Sequence, residues 1–368
     1  MSLKRIPALD GFRAIAVIIV MLSHVGLGSV IPGGFGVTIF FFLSGYLIIS
    51  IMRLENSVTG KMSLKQFYFR RTIRIFPPLY ITMGIVWLLS ATNLLAPRVD
   101  AYGIVRDSLF LTNYQNLWSS GTGEPIPLWS IDVEEHFYIL FSISFVLFLS
   151  RLPPKKAALI CAIACLAILG TRLWIAFTSD NLDLIYYWSH TRLDSILFGG
   201  CLALWQNPAL DGPNAWCPRL WHIGLAFAVL LGCLIVRNPI FRETFRYSLQ
   251  GLGLFVLFSA ALSSKGIVGR LMGSWPLRWV SLLSYTLYLI HVPVLNLIQQ
   301  NAHQIPALVT GALMFVFSAA YAVLMYLLVE HPLLRWRTHR KAVLRAAHPV
   351  SSHQGFETPV ISEKQTTN

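Results

Sequence analysis

Charged side chains are scarce in this sequence. Only 12% of its 368 residues are Asp, Glu, Lys or Arg, whereas 55% are hydrophobic. Soluble domains carry about 25% charged residues, so this composition argues against a soluble globular protein. A chain of this kind is better divided into apolar spans of about 20 residues, the length that crosses the hydrocarbon core of a bilayer.

Cysteine is also rare, and its spacing is irregular. The five cysteines form no CxxC pair, their number is odd, and most of them lie in apolar runs. These features argue against a disulfide framework and against a zinc site, and the sequence contains no HExxH motif. We therefore expect no metal site and no permanently bound cofactor, and we interpret the cysteines as small apolar core residues.

Acidic residues are outnumbered by basic residues, 16 to 29, which gives a formal charge of +13. Such a balance is typical of nucleic-acid binding and also of the cytoplasmic loops of membrane proteins, so the positions of the basic residues decide between the two.

Ten apolar segments are predicted to be transmembrane helices. They lie near residues 9–27, 35–53, 76–95, 129–149, 157–177, 192–206, 219–236, 247–263, 277–299 and 306–329.

Orientation follows from the loops between these spans. With the N-terminus in the cytoplasm, the inside loops hold most of the Lys and Arg residues, including clusters within 53–74 and 335–345. This asymmetry follows the positive-inside rule. The sequence thus predicts an all-α polytopic membrane protein of about ten transmembrane helices, with both termini cytoplasmic and no nucleic-acid partner. Residues 1–337 form the predicted transmembrane domain, and residues 338–368 form a polar, disordered cytoplasmic tail.

The first span carries three ionisable residues in an apolar run, DGFRAIAVIIVMLSH at 10–24. At about 100° per residue, Asp10, Arg13 and His24 fall on one stripe of the helix, with roughly 16 Å of axial rise from Arg13 to His24. Burying such groups costs about 2.5–3.5 kcal/mol each at a helix centre, so we expect the stripe to face a polar cavity or partners on other helices. The alternative is structural: an Asp10–Arg13 pair and a hydrogen-bonded histidine.

The fourth span begins with carboxylates, in PLWSIDVEEHFYIL at 127–140. Because this span starts on the outside, Glu134 and Glu135 are expected near the depth of His24. One of them can then orient the histidine ring or exchange a proton with it. The alternative is that both carboxylates complement the dipole at the start of the helix.

Arginines cluster just before the third span, at Arg70, Arg71 and Arg74. One interpretation is a positive-inside anchor. The other is a site for a phosphate-bearing ligand, because guanidinium groups bind phosphate oxygens through two parallel hydrogen bonds.

The order of these motifs resembles the acyltransferase 3 family of integral-membrane O-acyltransferases over nearly the whole chain. The matching segments are LDGFRAIAVIIVMLSH at 9–24, GGFGVTIFFFLSGYLI at 33–48, FRRTIRIFPPLY at 69–80, PLWSIDVEEHFYIL at 127–140, TRLDSILFGG at 191–200, SYTLYLIHVPV at 284–294 and VEHP at 329–332. One such segment would be a weak signal, but seven in the same order make the resemblance specific.

The resemblance implies an enzyme of the bacterial cytoplasmic (inner) membrane that uses acyl-CoA. Such an enzyme transfers an acyl group, usually acetyl, from cytoplasmic acyl-CoA to a hydroxyl of a sugar-containing acceptor, such as a surface polysaccharide or a lipid-linked glycan. Carried over residue by residue, the implied catalytic residues are His24, Glu134 and Glu135, and the implied acyl-CoA ligands are Arg13, Arg71 and Arg74. His24 would act as general base, with one glutamate orienting its ring. Direct transfer and an acyl-enzyme intermediate on Ser23 or Ser44 both stay open.

Four more residues are expected to support the site: Asp10, Asp194, His291 and Glu330. Asp194 follows Arg192 in the chain and is interpreted as a member of a structural pair or as an acceptor contact. Glu330 is expected to neutralise Arg13 or the cluster around Arg71. The sequence departs from the family pattern at Thr38, where Asp is frequent. This departure leaves the reaction class unchanged and bears on the choice of acceptor.

Two other functions fit a membrane protein with charges buried along a helix. One is a transporter of an acylated or anionic metabolite, which would leave the thioester of acetyl-CoA intact. The other is a non-catalytic component of a polysaccharide export complex, which would allow normal glycan acylation when His24 is replaced.

Overall fold

The computed structural model of the chain describes residues 5–96, 98–117, 126–212, 215–264, 266–302 and 305–347. Helix accounts for 82% of the structure, and the described residues contain no β-strand, which confirms the predicted all-α class. In chain order, the α-helices of these residues are α1 Pro7–Leu22, α2 Gly33–Thr59, α3 Leu64–Ala91, α4 Ala101–Ser108, α5 Trp129–Leu147, α6 Pro154–Thr178, α7 Asp183–Tyr187, α8 Ser189–Leu204, α9 Leu220–Ile235, α10 Pro239–Glu243, α11 Phe245–Ser263, α12 Ile267–Met272, α13 Trp275–Asn301, α14 Ala307–Met325 and α15 His331–Ala347.

Several of these helix boundaries follow from local sequence. The hydroxyl of Ser63 accepts the backbone N–H of Gln66 at 3.4 Å and begins α3, and the carboxylate of Asp100 accepts the N–H of Gly103 at 2.7 Å and begins α4. Both are side-chain caps of otherwise unpaired helix N–H groups. Gly60 follows the last residue of α2 and caps its C-terminus, with a φ of 72° in the left-handed region that favours glycine.

Among the described residues, π-type hydrogen bonds interrupt the regular helices in two segments. Ser23–Leu27 follows α1 and is kinked at Val25 and Gly26, and Tyr326–Glu330 joins α14 to α15. A π turn breaks the regular ladder of backbone hydrogen bonds and occurs frequently at functional sites. Each segment carries a predicted site residue, His24 in the first and Glu330 in the second.

The polytopic membrane class is also confirmed. Each of the ten apolar segments predicted from the sequence lies on a helix, and seven helices of the described residues are long and apolar enough to cross a bilayer. The other three predicted spans fall on α5, α8 and α9. Helix α5 carries three carboxylates near its start, and α8 and α9 have only 16 residues each. The number ten and the cytoplasmic position of both termini therefore stay predictions.

Close helix packing explains two motif glycines. Helix α1 packs against α2 and α13, α2 packs against α8, and α8 packs against α6. At the α2–α8 contact, a Cβ on Gly45 would overlap the carbonyl of Ile196, and a Cβ on Gly199 would overlap that of Phe42. Small residues allow such close approach of backbones in membranes, where tight packing replaces the hydrophobic effect as the driving force.

The last helix extends beyond the predicted domain boundary. Helix α15 runs from His331 to Ala347, ten residues past the boundary at residue 337, so the first part of the predicted tail is helical. The rest of that tail, residues 348–368, lies outside the described residues.

Candidate active site

Helices α1, α2, α3, α5 and α13 surround a cavity of about 460 Å³, which we call the arginine cavity. Its charged lining residues are Arg5, Asp10, Arg13, Arg70, Arg71, Arg74, Glu134, Glu330 and Arg337. The cavity thus brings together six of the ten predicted site residues. Arginines outnumber carboxylates two to one in its wall, so the cavity attracts anions.

The arginines of this cavity differ in their partners. Arg5 forms an ion pair with Asp10 at 2.7 Å, and Arg71 lies 3.6 Å from Glu135. Arg13 forms no hydrogen bond or ion pair with another described residue. The alternative of an Asp10–Arg13 ion pair is therefore wrong. Asp10, in the first turn of α1, pairs instead with Arg5, which lies just before the start of that helix.

Arg74 and Arg337 are likewise without a hydrogen bond or ion pair in the described part of the chain. Both line the arginine cavity, as Arg13 does. Guanidinium groups that are left unpaired in a cavity are available to bind phosphate or carboxylate groups of a ligand.

The two adjacent glutamates point to different partners. Glu134 accepts hydrogen bonds from the hydroxyls of Ser44 and Tyr138, both at 2.8 Å. Glu135 faces Arg71, whose guanidinium lies 3.3 Å from the centre of the Tyr138 ring. The carboxylates, the tyrosine and the arginine therefore form one polar cluster at the wall of the cavity.

Neither glutamate contacts His24 in the described structure, so the expected orientation of the histidine by a carboxylate is wrong. The reason is the position of these residues along the helix axes. Glu134 contacts Ser44, which lies eleven residues into α2, roughly 16 Å from the start of that helix at Gly33. The carboxylates therefore lie near the level of Arg13, whereas His24 lies beyond the other end of α1.

His24 instead lies against His291. Their ring centroids are 4.9 Å apart and the rings are nearly perpendicular, at 79°. His24 is exposed, and His291 is fully buried. Neither histidine lines the arginine cavity, although Tyr288 lines it and its ring centroid lies 5.6 Å from that of His291.

Backbone carbonyls determine which ring nitrogen of each histidine carries a proton. Nδ1 of His24 lies 2.8 Å from the carbonyl oxygen of Val20, and Nδ1 of His291 lies 2.7 Å from that of Tyr288. Because a carbonyl oxygen only accepts, Nδ1–H is the donor in both cases. Each neutral ring therefore presents an unprotonated Nε2, which is the form that a general base requires.

The two remaining supporting residues have different surroundings. Asp194 is fully buried and forms two hydrogen bonds of 2.7 Å with the guanidinium of Arg172, which is also fully buried. Asp194 is thus a member of a buried structural pair, and its partner is Arg172. Glu330 accepts a hydrogen bond of 2.7 Å from the hydroxyl of Thr286 and lines the arginine cavity beside Arg74.

Sequence reasoning missed two residues of this region. Tyr138 and Arg337 line the cavity, but Tyr138 had no assigned role in its motif and Arg337 belonged to a basic cluster that the positive-inside rule already explained. Only the helical spacing of Glu134 and Tyr138, four residues apart, indicated their contact. In the described part of the chain, no group of three or more His, Cys, Asp or Glu side chains is arranged to hold a metal ion.

Known proteins resemble this chain over most of its length. A family model described as an acyltransferase domain, Acyl_transf_3, matches residues 6–329. The chain is 29% identical over 353 residues to O-acetyltransferase OatA of Staphylococcus aureus, an alignment that covers 90% of this chain and 58% of that protein. It is 29% identical over 316 residues to peptidoglycan O-acetyltransferase OatA of Listeria monocytogenes, covering 80% of this chain and 50% of that protein.

A third relative is the putative peptidoglycan O-acetyltransferase YrhL of Bacillus subtilis, 30% identical over 318 residues, with 80% of this chain and 49% of the relative covered. The chain thus spans between about half and three-fifths of the length of these relatives. No solved structure matches the chain. Since the family model covers residues 6–329 of the 368 residues, this chain belongs to the acyltransferase 3 family of integral-membrane proteins.

Proposed function

We propose that the protein is a membrane O-acyltransferase that moves an acyl group, acetyl in the first instance, from acyl-CoA to a hydroxyl of a sugar-containing acceptor. The observation that carries this proposal is the arginine cavity, in which Arg13, Arg74 and Arg337 have no partner among the described residues. The names of the relatives, an O-acetyltransferase and a peptidoglycan O-acetyltransferase, support the same reaction.

Acyl-CoA suits this cavity because its nucleotide end carries three phosphate groups and its thioester lies at the end of a long, extended arm. Arg13 and Arg74 are the cavity residues best able to bind the phosphates, since Arg71 is engaged by Glu135 and by the ring of Tyr138. From Arg13 the arm extends along α1 toward His24, a rise of roughly 16 Å. Tyr288 lies at the end of the cavity nearest to the histidines, so the thioester passes this side chain.

His24 is the general base in this proposal. Its Nδ1–H is held by the carbonyl of Val20 at 2.8 Å, which leaves Nε2 free to take the proton of the acceptor hydroxyl. The hydroxyl oxygen then attacks the thioester carbon, the bond from that carbon to sulfur breaks, and the ester forms. The thiolate of CoA leaves and takes up the proton that His24 accepted, which returns the neutral imidazole. The backbone carbonyl fixes the tautomer of His24, a role that a carboxylate has in many catalytic histidine pairs.

The acceptor hydroxyl reaches His24 from the outer side of the membrane, because His24 is exposed at the end of α1 opposite the arginines. Among sugar-containing acceptors, the names of two relatives favour peptidoglycan. This topology fits an enzyme of the bacterial cytoplasmic membrane that uses a cytoplasmic donor and modifies a glycan outside the cell.

Turnover of labelled acetyl-CoA by the purified protein tests this function. In proteoliposomes, we expect release of free CoA and label on soluble peptidoglycan fragments, with both products formed in equal amounts. A transporter would move label across the bilayer with the thioester intact, and an accessory protein would do neither. Intact acetyl-CoA after prolonged incubation with peptidoglycan, polysaccharide and lipid-linked glycan acceptors would contradict the proposal.

A further inference from the structure

A second cavity adjoins the arginine cavity and has a volume of about 580 Å³. We call it the side cavity, and it lies between α1, α3, α13 and the segment from Tyr326 to Arg337. Arg13, Arg74 and Arg337 line both cavities. The two cavities therefore meet at these arginines, where a ligand too long for one cavity can extend toward the other.

One face of α13 forms the aromatic wall of the side cavity. Trp275, Arg278, Trp279 and Leu282 line it, and their spacing of three, four and seven residues places them on the same side of the helix. The ring of Trp279 meets that of Tyr326 edge-on, with centroids 6.4 Å apart. Trp275 is 70% exposed, as is typical of tryptophans at the membrane surface, whereas Trp279 is 41% exposed.

Guanidinium groups lie beside this aromatic wall. Arg278 and Arg337 line the side cavity, and neither has a hydrogen bond or ion pair with another described residue. Arg340, one turn further along α15, is different: it lies over the rings of Phe69 and Trp336, at 5.0 and 5.4 Å, and lines neither cavity. Unpaired arginines next to an aromatic surface are suited to a ligand that carries both phosphate and a planar base.

We propose that the side cavity binds the nucleotide end of the acyl-CoA donor, an inference that rests on the proposed function. Trp279 packs against the adenine ring, and Arg278 and Arg337 bind the 3′-phosphate of the ribose. The pyrophosphate then lies between the two cavities at Arg13 and Arg74, and the pantetheine arm enters the arginine cavity. The side cavity thus selects acyl-CoA over shorter thioesters.

Shortened donors test this assignment. We would measure kcat/KM of the purified protein in proteoliposomes with acetyl-CoA, with acetyl-dephospho-CoA, which lacks the 3′-phosphate, and with S-acetyl-pantetheine, which lacks the nucleotide. The wild-type protein should prefer acetyl-CoA to S-acetyl-pantetheine by at least tenfold. Arg337→Met and Trp279→Ala should each lower kcat/KM for acetyl-CoA at least fivefold and leave the value for S-acetyl-pantetheine unchanged.

Acetyl-dephospho-CoA separates the two interactions. Arg337→Met should not affect this donor, because the group that Arg337 binds is missing, whereas Trp279→Ala should still lower its turnover. Arg340→Met removes the same charge from the same helix outside both cavities, and it should behave as wild type with all three donors.

Several results would overturn the inference. Variants that lower turnover of all three donors by the same factor would show a structural role, and an effect that disappears when anionic lipids are omitted would assign the arginines to lipid headgroups. If neither variant folds, the wild-type protein alone tests the inference. Equal kcat/KM values for acetyl-CoA and S-acetyl-pantetheine would exclude a nucleotide site. A wild-type protein that turns over no donor would contradict the proposed function itself.

Discussion

Single residues differ most in whether their charge is neutralised by a neighbour. Arg70 pairs with Glu55 at 2.7 Å and Arg71 lies 3.6 Å from Glu135, so both have a structural partner. Arg74, one turn further along α3, faces the cavity without one. Of these two arginines, Arg71 therefore links α3 to α5, whereas Arg74 is left free to bind a ligand.

Replacing Arg74 should chiefly weaken binding of the donor. We expect Arg74→Ala to raise the KM for acetyl-CoA about tenfold, equivalent to ~1.4 kcal/mol, with kcat little changed, because phosphate contacts are equally strong before and during the reaction. Arg151→Ala, which removes an exposed arginine outside both cavities, serves as the control. A rise confined to the KM of the acceptor would argue against phosphate binding by Arg74.

The sequence was sufficient to identify the polar stripe of α1 but not the partners of its residues. Helical periodicity alone aligns Arg13 with His24, since eleven residues make about three turns. The partner of His24 is His291, which lies on a helix 267 positions later in the chain, and no local pattern reports that contact. Glu134 was expected at the wrong depth because the relative heights of helices depend on packing and not on their own sequences.

Individual helices explain motif residues that have no chemical role. Gly45 and Gly199 lie where α2 and α8 touch, and a side chain at either position would overlap backbone atoms of the other helix. The glycines of FFFLSGYLI and SILFGG therefore serve helix packing. The sequence alone does not distinguish these packing residues from the candidate site residues of the same motifs, whereas the contact between the two helices does.

A methyl group at Gly199 should separate these two helices. We expect Gly199→Ala to lower the free energy of unfolding by about 1–3 kcal/mol, the usual cost of overpacking, seen as a lower midpoint of thermal unfolding in detergent. Gly84→Ala in α3 is the matched control, since a Cβ there meets no atom within 4 Å. Equal midpoints for the two variants would show that α2 and α8 do not pack as closely as described.

The buried pair between α6 and α8 provides a second test at this scale. Asp194→Ala leaves the fully buried guanidinium of Arg172 without its carboxylate, which should cost about 3–5 kcal/mol of stability. The double variant Asp194→Ala with Arg172→Met removes both charges and should recover most of that loss. If thermal unfolding of the double variant is no better than that of Asp194→Ala, the two residues are not a structural pair.

For the whole molecule, composition predicted the class better than the number of spans. Seven helices are long and apolar enough to cross a bilayer, and α5, α8 and α9 depart from that pattern. Helix α5 departs because it carries the carboxylates of the candidate site. The buried face of α5 therefore has the polar composition of a binding cavity. Mean hydropathy alone does not distinguish a transmembrane helix with such a face from a helix outside the membrane.

The predicted orientation can be measured with a natural cysteine. Cys217 is exposed, and it follows a loop in which Asp211 pairs with Arg53 at the predicted inner end of α2. A membrane-impermeant maleimide should therefore label Cys217 only after the cells are permeabilised. In a Cys217→Ser background, Ser29→Cys in the exposed turn after His24 should be labelled in intact cells. The reverse pattern would invert the topology and place the arginine cavity outside the cell.

The most direct test of the account is acyl transfer by a His24 variant. Labelled acetyl-CoA and soluble peptidoglycan fragments would be supplied to proteoliposomes that contain wild type, His24→Ala or His339→Ala, the last of which removes an exposed histidine of α15. We predict that His24→Ala stays folded and still binds acetyl-CoA, but transfers label at least a hundredfold more slowly, the usual contribution of a general base, whereas His339→Ala matches wild type. Transfer by His24→Ala at the wild-type rate would contradict the central claim that His24 performs the chemistry.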